Sequence, residues 1–329
     1  MNEEMKRMIY LINLIAEMSK KVTISEYYYS KFVNSGNEYL SPIEKIRIED
    51  MNDFFVTAGI VGRNDILPII GKDGSNIIEF EPDIIGSQYI YQPSDLIAAQ
   101  AGVPAITTTG QEIKPMEQLE AKAARFLGAA LKNRAIKQCN QAYLKGTYTD
   151  KNNKEFNVGV TDETELQWNS KTKYSDEILK VIMEYHTKVG VFPEVEVGLT
   201  VFNALKNEAN DTRQNINNVK FVHGESPYLE MGEGLKINLL LDAKGVDDAL
   251  IETKDLIILS QRSNLAVGYG CLQYGDVKTN QSKLIRAKTI AGDLRVEAMT
   301  GSTGMWNKSA PMPCLLSLSR YKRYKVTIS

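Results

Sequence analysis

Residues able to do chemistry are sparse in this chain. Two histidines are present. His223, in Val222-His-Gly-Glu225, is the better candidate, since an imidazole with a carboxylate two residues on could act as the acid–base pair of a hydrolase. No serine or cysteine nucleophile stands near it in a recognisable setting. His186 lies among apolar positions of helical spacing and reads as a packed or surface histidine. Gly232-Glu-Gly234 precedes an apolar run at 235–241 instead of following a strand, the wrong order for holding a phosphate at a helix N-terminus. Asp247-Asp248 and Glu49-Asp50 read as solvated turns. Cys139, Cys271 and Cys314 are far apart with apolar flanks, as expected of buried, reduced thiols. No histidine, cysteine or carboxylate cluster has metal-ligand spacing. No catalytic residue, cofactor site or metal centre is therefore assigned, and a His223/Glu225 hydrolase stands as the rival reading.

Charge points the same way. The 39 basic and 41 acidic residues leave a formal charge of −2, without the basic excess of a dedicated nucleic-acid binder. Residues 320–325, RYKRYK, interleave cations with aromatics and could touch a nucleic acid. An edge strand guarded by charge explains them better. The apolar run at 8–16 is too short to cross a bilayer. Glu3 and Glu4 spoil the basic flank that a signal peptide needs, and no small-residue cleavage site follows. The expectation is a cytoplasmic product with no membrane contact.

The elements that would position such residues are organised around one long helix at 111–145. Pro115 suits its first turn, Glu117 and Glu120 suit its positive end, and Gly146 closes it. Leu119, Ala123, Phe126 and Ala130 form one apolar face, widened by Leu127 and Leu131. Ala135, Cys139, Ala142 and Tyr143 then drift round the helix. That drift fits a spine on which different elements pack along its length. Before it, Met5, Met8, Leu11, Ile12, Ile15 and Met18 predict an amphipathic helix over 2–20, either on the protein's own core or as an arm docking on a partner. Residues 20–42, with three consecutive tyrosines, read as an extended tether.

From Ile43 the pattern becomes β. Asp73-Gly74 between isoleucine-rich flanks signals a tight hairpin, with limbs carrying Ile66, Ile69 and Ile70 on one side and Ile77, Ile78 and Phe80 on the other. Pro68 and Pro82 keep it from being a central pair of a sheet. A lone hairpin of this kind is marginal, so it needs a partner surface. Residues 84–93 continue extended. After the spine, short strands are expected at 155–160 and 165–168. Helices follow at 176–188, 198–207 and 211–218, and strands at 191–197, 235–241, 256–260, 266–273, 294–299, 312–318 and 324–328. The class is α+β.

Leu144-Lys-Gly146 followed by Tyr148-Thr149, Glu165-Leu-Gln-Trp168 before Tyr174, Tyr269-Gly-Cys-Leu-Gln273, Ser309-Ala-Pro311 and the hairpin ending Glu79-Phe-Glu-Pro82 occur in an order that resembles the major capsid proteins of lambda-like tailed phages, the major capsid protein E family. The resemblance spans about residue 50 to the end. It implies an HK97-type fold with an N-terminal arm (1–50) and a long E-loop hairpin (56–93). A peripheral domain with the spine helix (107–190, completed by 301–329) and an axial domain (191–300) make up the rest. It further implies a structural subunit that assembles into pentamers and hexamers of an icosahedral head around double-stranded DNA. Scaffold, portal and decoration proteins would be its partners, in the host cytoplasm during assembly and in the virion afterwards. The hairpin residues Ile66, Ile69, Ile70, Lys72, Asp73, Gly74, Ile77, Ile78 and Phe80 would be assembly contacts. An encapsulin-like compartment shell, which shares the fold, is the nearest alternative. The helix over Met5–Met18 has no counterpart in the resemblance.

Overall fold

The computed structural model describes residues 3–19, 25–50, 76–91, 115–149, 155–157, 164–169, 173–211, 226–231, 235–276, 281–295 and 303–328. Among these, five α-helices occur: α1 (Glu3–Ser19), α2 (Tyr27–Val33), α3 (Pro115–Lys145), α4 (Tyr174–Val189) and α5 (Leu199–Asp211).

Helix α3 is the spine. Its 31 residues span about 46 Å at 1.5 Å per residue. It ends where Gly146 takes φ 68° and donates its N–H to the Ala142 carbonyl at 3.0 Å. Only glycine adopts that backbone at no steric cost. In the first half Leu119, Ala123, Ala124 and Leu127 are buried, against α1 and the three-stranded sheet of 85–91, 303–309 and 289–295. From Ile136 to Leu144 the helix is covered on nearly every side. Phe126 and Ala130, expected on the buried face, are instead exposed. The elements that cover the spine approach along the 119–123–127 line. Phe126, 56% exposed, stacks on Tyr89 at 5.7 Å.

The largest sheet has six strands in the order 164–168, 322–328, 256–260, 194–197, 235–239, 228–231. Its strand Leu256–Ser260 is buried at every position, as its unbroken apolar run requires. Helices α4 and α5 cover one face, packing Ile178, Ile182, Tyr185, Val201 and Phe202 onto Val195, Val197, Ile257 and Leu259. The basic segment at 320–325 is not an edge. Strand 322–328 lies between 164–168 and 256–260, hydrogen-bonded on both sides. Val326 turns into the core with Tyr324 and Ile328 partly covered beside it, while Lys325 and Thr327 face solvent. The exposed charges therefore sit on an inner strand of the sheet, not on its border. The expected division at residue 190 runs across this sheet, because 164–168 and 322–328 are bonded into the same layer as 194–260.

A second core joins α2, the C-terminal half of α3 and a sheet of 38–40, 265–269 and 311–315. Here the tether reading fails. Tyr27–Val33 is helical, with Tyr28, Lys31 and Phe32 buried. Tyrosine and phenylalanine have modest helix propensity, so these roughly two turns are fixed by tertiary packing. Helix α1 closes a third core through Leu11 and Ile15, and so it packs on the protein's own spine. Glu49-Asp50 ends a strand, 46–50, and is not a turn. Asp247-Asp248 is a turn, with Asp248 at φ 63° and ion-paired to Lys137.

Candidate assembly surfaces

The loop predicted to reach a neighbour is rooted firmly in the second core. Strand 38–40 runs parallel to 265–269. The Ser41 N–H donates to the Tyr269 carbonyl at 2.9 Å, and the Cys271 N–H donates to the Ile43 carbonyl at 2.9 Å. Ser41 Oγ donates to the Lys45 carbonyl at 2.5 Å and tightens the bend between them. Two glycines let the root approach this closely. A Cβ at Gly268 would meet Ile46 Cδ1 at 2.8 Å, and one at Gly270 would meet Pro82 Cγ at 2.7 Å and the Glu44 carbonyl at 2.8 Å. Both chain passages, at Ile46 and at Pro82, are thus pressed onto one strand. Beyond this anchor, 46–50 pairs antiparallel with 76–80, Ile46 opposite Phe80 and Ile48 opposite Ile78.

Of the residues singled out in the hairpin, Ile77, Ile78 and Phe80 lie on this ladder. Ile66, Ile69, Ile70, Lys72, Asp73 and Gly74 lie outside the described residues, as do His223, Glu225 and Gly232-Glu-Gly234. His186 is half-buried and stacks on Phe192 at 4.2 Å, a packing role. The three cysteines are buried and free. Burial pushes the Cys314 thiol up to about 12, which makes it a poor nucleophile. Among the described residues, no group of histidine, cysteine and carboxylate side chains could hold a metal ion, and no helix is long and apolar enough to cross a membrane.

One polar constellation escaped the sequence. Lys31 on α2 pairs with Glu196 at 2.7 Å, their side chains 4% and 0% exposed. Tyr27 donates to Glu196 Oε1 at 2.6 Å, and the Tyr143 hydroxyl donates to Oε2. Tyr143 also meets Ser260 Oγ at 2.9 Å, and the Tyr321 hydroxyl donates to the Tyr143 carbonyl. The Lys31 ammonium sits 5.2 Å from the Tyr27 ring centre and 5.1 Å from that of Tyr143. Burial, and then the Glu196 charge, push the Tyr27 and Tyr143 hydroxyls well above the usual tyrosine range. Such a network, donors all supplied, holds a carboxylate in the interior. It ties α2, the spine and the six-stranded sheet at one point. Glu196 is fully enclosed, and what the network does is join these elements. Lys31 and Glu196 are 165 residues apart, and no local pattern pairs them.

A root locked to the core, a long spine and a sheet-based unit beside it are the parts that the described residues supply. Residues 13–224 match the model of the phage major capsid protein E family, and the chain belongs to that family. Its fold is the HK97-type capsid fold. A crystal structure of a protein assigned as the capsid protein of a prophage of E. coli CFT073 is similar over 98% of this chain and 99% of its own, with 13% identity and TM-score 0.59. The mature capsid of bacteriophage PhiM1 aligns over 89% of this chain and 86% of its own, at 12% identity and TM-score 0.42. The SrpI encapsulin complex from Synechococcus elongatus PCC 7942 aligns over 88% and 84%, at 10% identity and TM-score 0.43. No curated protein matches the sequence. Family and fold give this chain a structural role in a homo-oligomeric capsid shell of a phage or prophage, at home in the virion. They imply no enzymatic role.

Proposed function

We propose that this subunit assembles into pentamers and hexamers that close an icosahedral head around double-stranded DNA, each subunit's hairpin of about residues 66–80, within the expected 56–93 loop, lying on its neighbour while 85–91 stays on its own spine. The observation that carries the reading is the family match combined with a fold shared over nearly the whole chain. The unit built on the six-stranded sheet with α4 and α5 would be the axial domain. The spine with 85–91, 289–295 and 303–309 would be the peripheral one. The hairpin residues Ile66, Ile69, Ile70, Lys72, Asp73, Gly74, Ile77, Ile78 and Phe80 would make the contact. Support comes from the rigid root, which transmits force from loop to core, and from a near-neutral charge, which spares many packed copies mutual repulsion. Assembly would take place in the host cytoplasm with scaffold, portal and decoration proteins. Negative-stain microscopy with sedimentation of the purified protein tests this. Closed particles tens of nanometres across are expected, and a discrete small oligomer under all conditions would overturn it. Particles that form only around a cargo protein and never with DNA would favour a compartment shell.

A further inference from the structure

One face of the spine is left open by the chain's own packing, and its charge is one-sided. Helix α1 and the sheet of 85–91, 303–309 and 289–295 cover α3 along Leu119, Ala123, Ala124 and Leu127. Gln118, Lys122, Arg125, Ala129 and Asn133 recur at steps of four, three, four and four, the spacing that lines up side chains on one side of a helix. This side points away from that core and runs about 22 Å along the axis. It carries no carboxylate, in a chain with 41 acidic residues against 39 basic ones. Three cations further along the spine are occupied. Lys132 pairs with Glu26 at 2.5 Å, Lys137 pairs with Asp248, and Arg134 donates to the Val246 carbonyl at 3.3 Å. Lys122 and Arg125 are exposed, and among the described residues neither has an ion-pair partner or a hydrogen bond. Like charges at this spacing repel on a helix, a cost that a bound anion reverses. Ala121, Ala129 and Ala130 beside them are short, so a broad partner can reach both charges at once.

We propose that this open face of α3 lies against the phosphate backbone of the nucleic acid inside the shell, with Lys122 and Arg125 on phosphates and the spine turned toward the interior. The inference rests on the reading that the shell encloses double-stranded DNA. Charge complementarity selects the occupant. Duplex DNA carries one negative charge per about 1.7 Å of axis, with condensed counterions that lysine and arginine release on contact. Phosphate contacts of this kind carry no sequence information, as a shell that holds any sequence requires. Two cations per subunit make a weak, salt-dependent contact. Repeated over the many copies of a shell, it holds the outermost DNA without fixing its register. The near balance of charge over the whole chain is compatible with this, because the cations are gathered on one face and need no basic excess elsewhere.

The test is photo-cross-linking in DNA-filled particles, with the native cysteines silent because all are buried. A thiol-reactive aryl azide is attached to an Ala129→Cys variant, on the open face. The control is Gln88→Cys, exposed on strand 85–91 and, by alternation with Tyr89 and Tyr91, turned away from the spine. After nuclease has removed external DNA, irradiated Ala129→Cys particles should yield about tenfold more DNA-linked subunit than Gln88→Cys particles. In the Ala129→Cys background, Lys122→Gln/Arg125→Gln should lower that yield about fivefold. The charge-keeping swap Lys122→Arg/Arg125→Lys should retain it, as should Lys145→Gln/Lys188→Gln at exposed cations elsewhere. Filled shells in which Gln88→Cys gives the larger yield, or in which losing both charges changes nothing, would overturn the contact while leaving the shell reading in place. So would a label that attaches to protein instead of DNA, which would give the face to a protein partner. A wild-type chain that forms no shells, or only shells that never hold DNA, would remove both.

Discussion

Replacing Lys31 by methionine keeps the length of the side chain and deletes its charge. Glu196 would then be left fully buried with the Tyr27 and Tyr143 hydroxyls as its remaining donors. Removing one partner of a buried ion pair costs about 3–5 kcal/mol, because the other charge has lost its compensation. At about 2.1 cal/mol/K per residue of unfolding entropy, a chain of 329 residues would lose roughly 4–7 °C of melting temperature. Lys31→Met/Glu196→Gln removes both charges and keeps an acceptor for the tyrosines, so it should recover to within about 1–2 kcal/mol of wild type. The cycle is measured by urea unfolding of unassembled subunits, because association adds stabilisation of its own. A Lys31→Met subunit within about 0.5 kcal/mol of wild type would refute the claim that this pair is buried and ionised.

Ile257→Ala, at a fully buried strand position, should cost about 2–5 kcal/mol, whereas Leu239→Ala, only partly buried, should cost less than half as much; equal effects in urea titrations would contradict the packing. Burial pushes Tyr29 up from 10.0 to about 12, with Tyr28 and Tyr321 shifted the same way. A folded-state pKa above the unfolded one gives stability that is intact below pH 10 and is lost as pH rises toward 12. Thermal scans should therefore be flat just above neutrality and fall steeply above pH 10, and a flat profile to pH 12 would count against these hydroxyls being buried. Replacing 66–74 by a short Gly/Ser turn, which spares the 46–50/76–80 ladder, should leave a folded subunit by circular dichroism that no longer closes into shells by sedimentation; normal shells would sink the assigned contact.

Legibility in the sequence followed the range of the interactions involved. The spine was readable because Pro115, Gly146 and a run of good helix formers act within a turn or two of one another. Strand 256–260 was readable because full burial demands an unbroken apolar run. The side of the spine that faces inward was misjudged at Phe126, since 119–123–126 and 119–123–127 are equally good helical lines and only the neighbours choose. Tyr27–Val33 was misread because its helix is stabilised by Tyr143, Glu196 and Leu241, all more than 100 residues away. RYKRYK looked like a guarded border because exposed charge on an inner strand gives the same alternation. The loop root was invisible for a related reason. The close approach at Gly268 and Gly270 becomes meaningful only once Ile46 and Pro82 are known to lie against them.

The position of strand 322–328 has a bearing on when a subunit becomes competent. Tyr324 bonds beside Thr164 and also opposite Ile257, so the layer stays split until the final stretch has emerged from the ribosome. About 160 residues separate Thr164 from that partner, and translation at 5–20 residues per second takes roughly 10–30 s to supply them. Throughout that interval Leu166, Trp168 and one side of 256–260 lack their cover. A nascent chain is therefore unfinished in the half of the molecule that holds α4 and α5 until its last strand is in place. Chains stalled before residue 322 should be cut by protease throughout the six-stranded sheet, while chains released past residue 328 should resist.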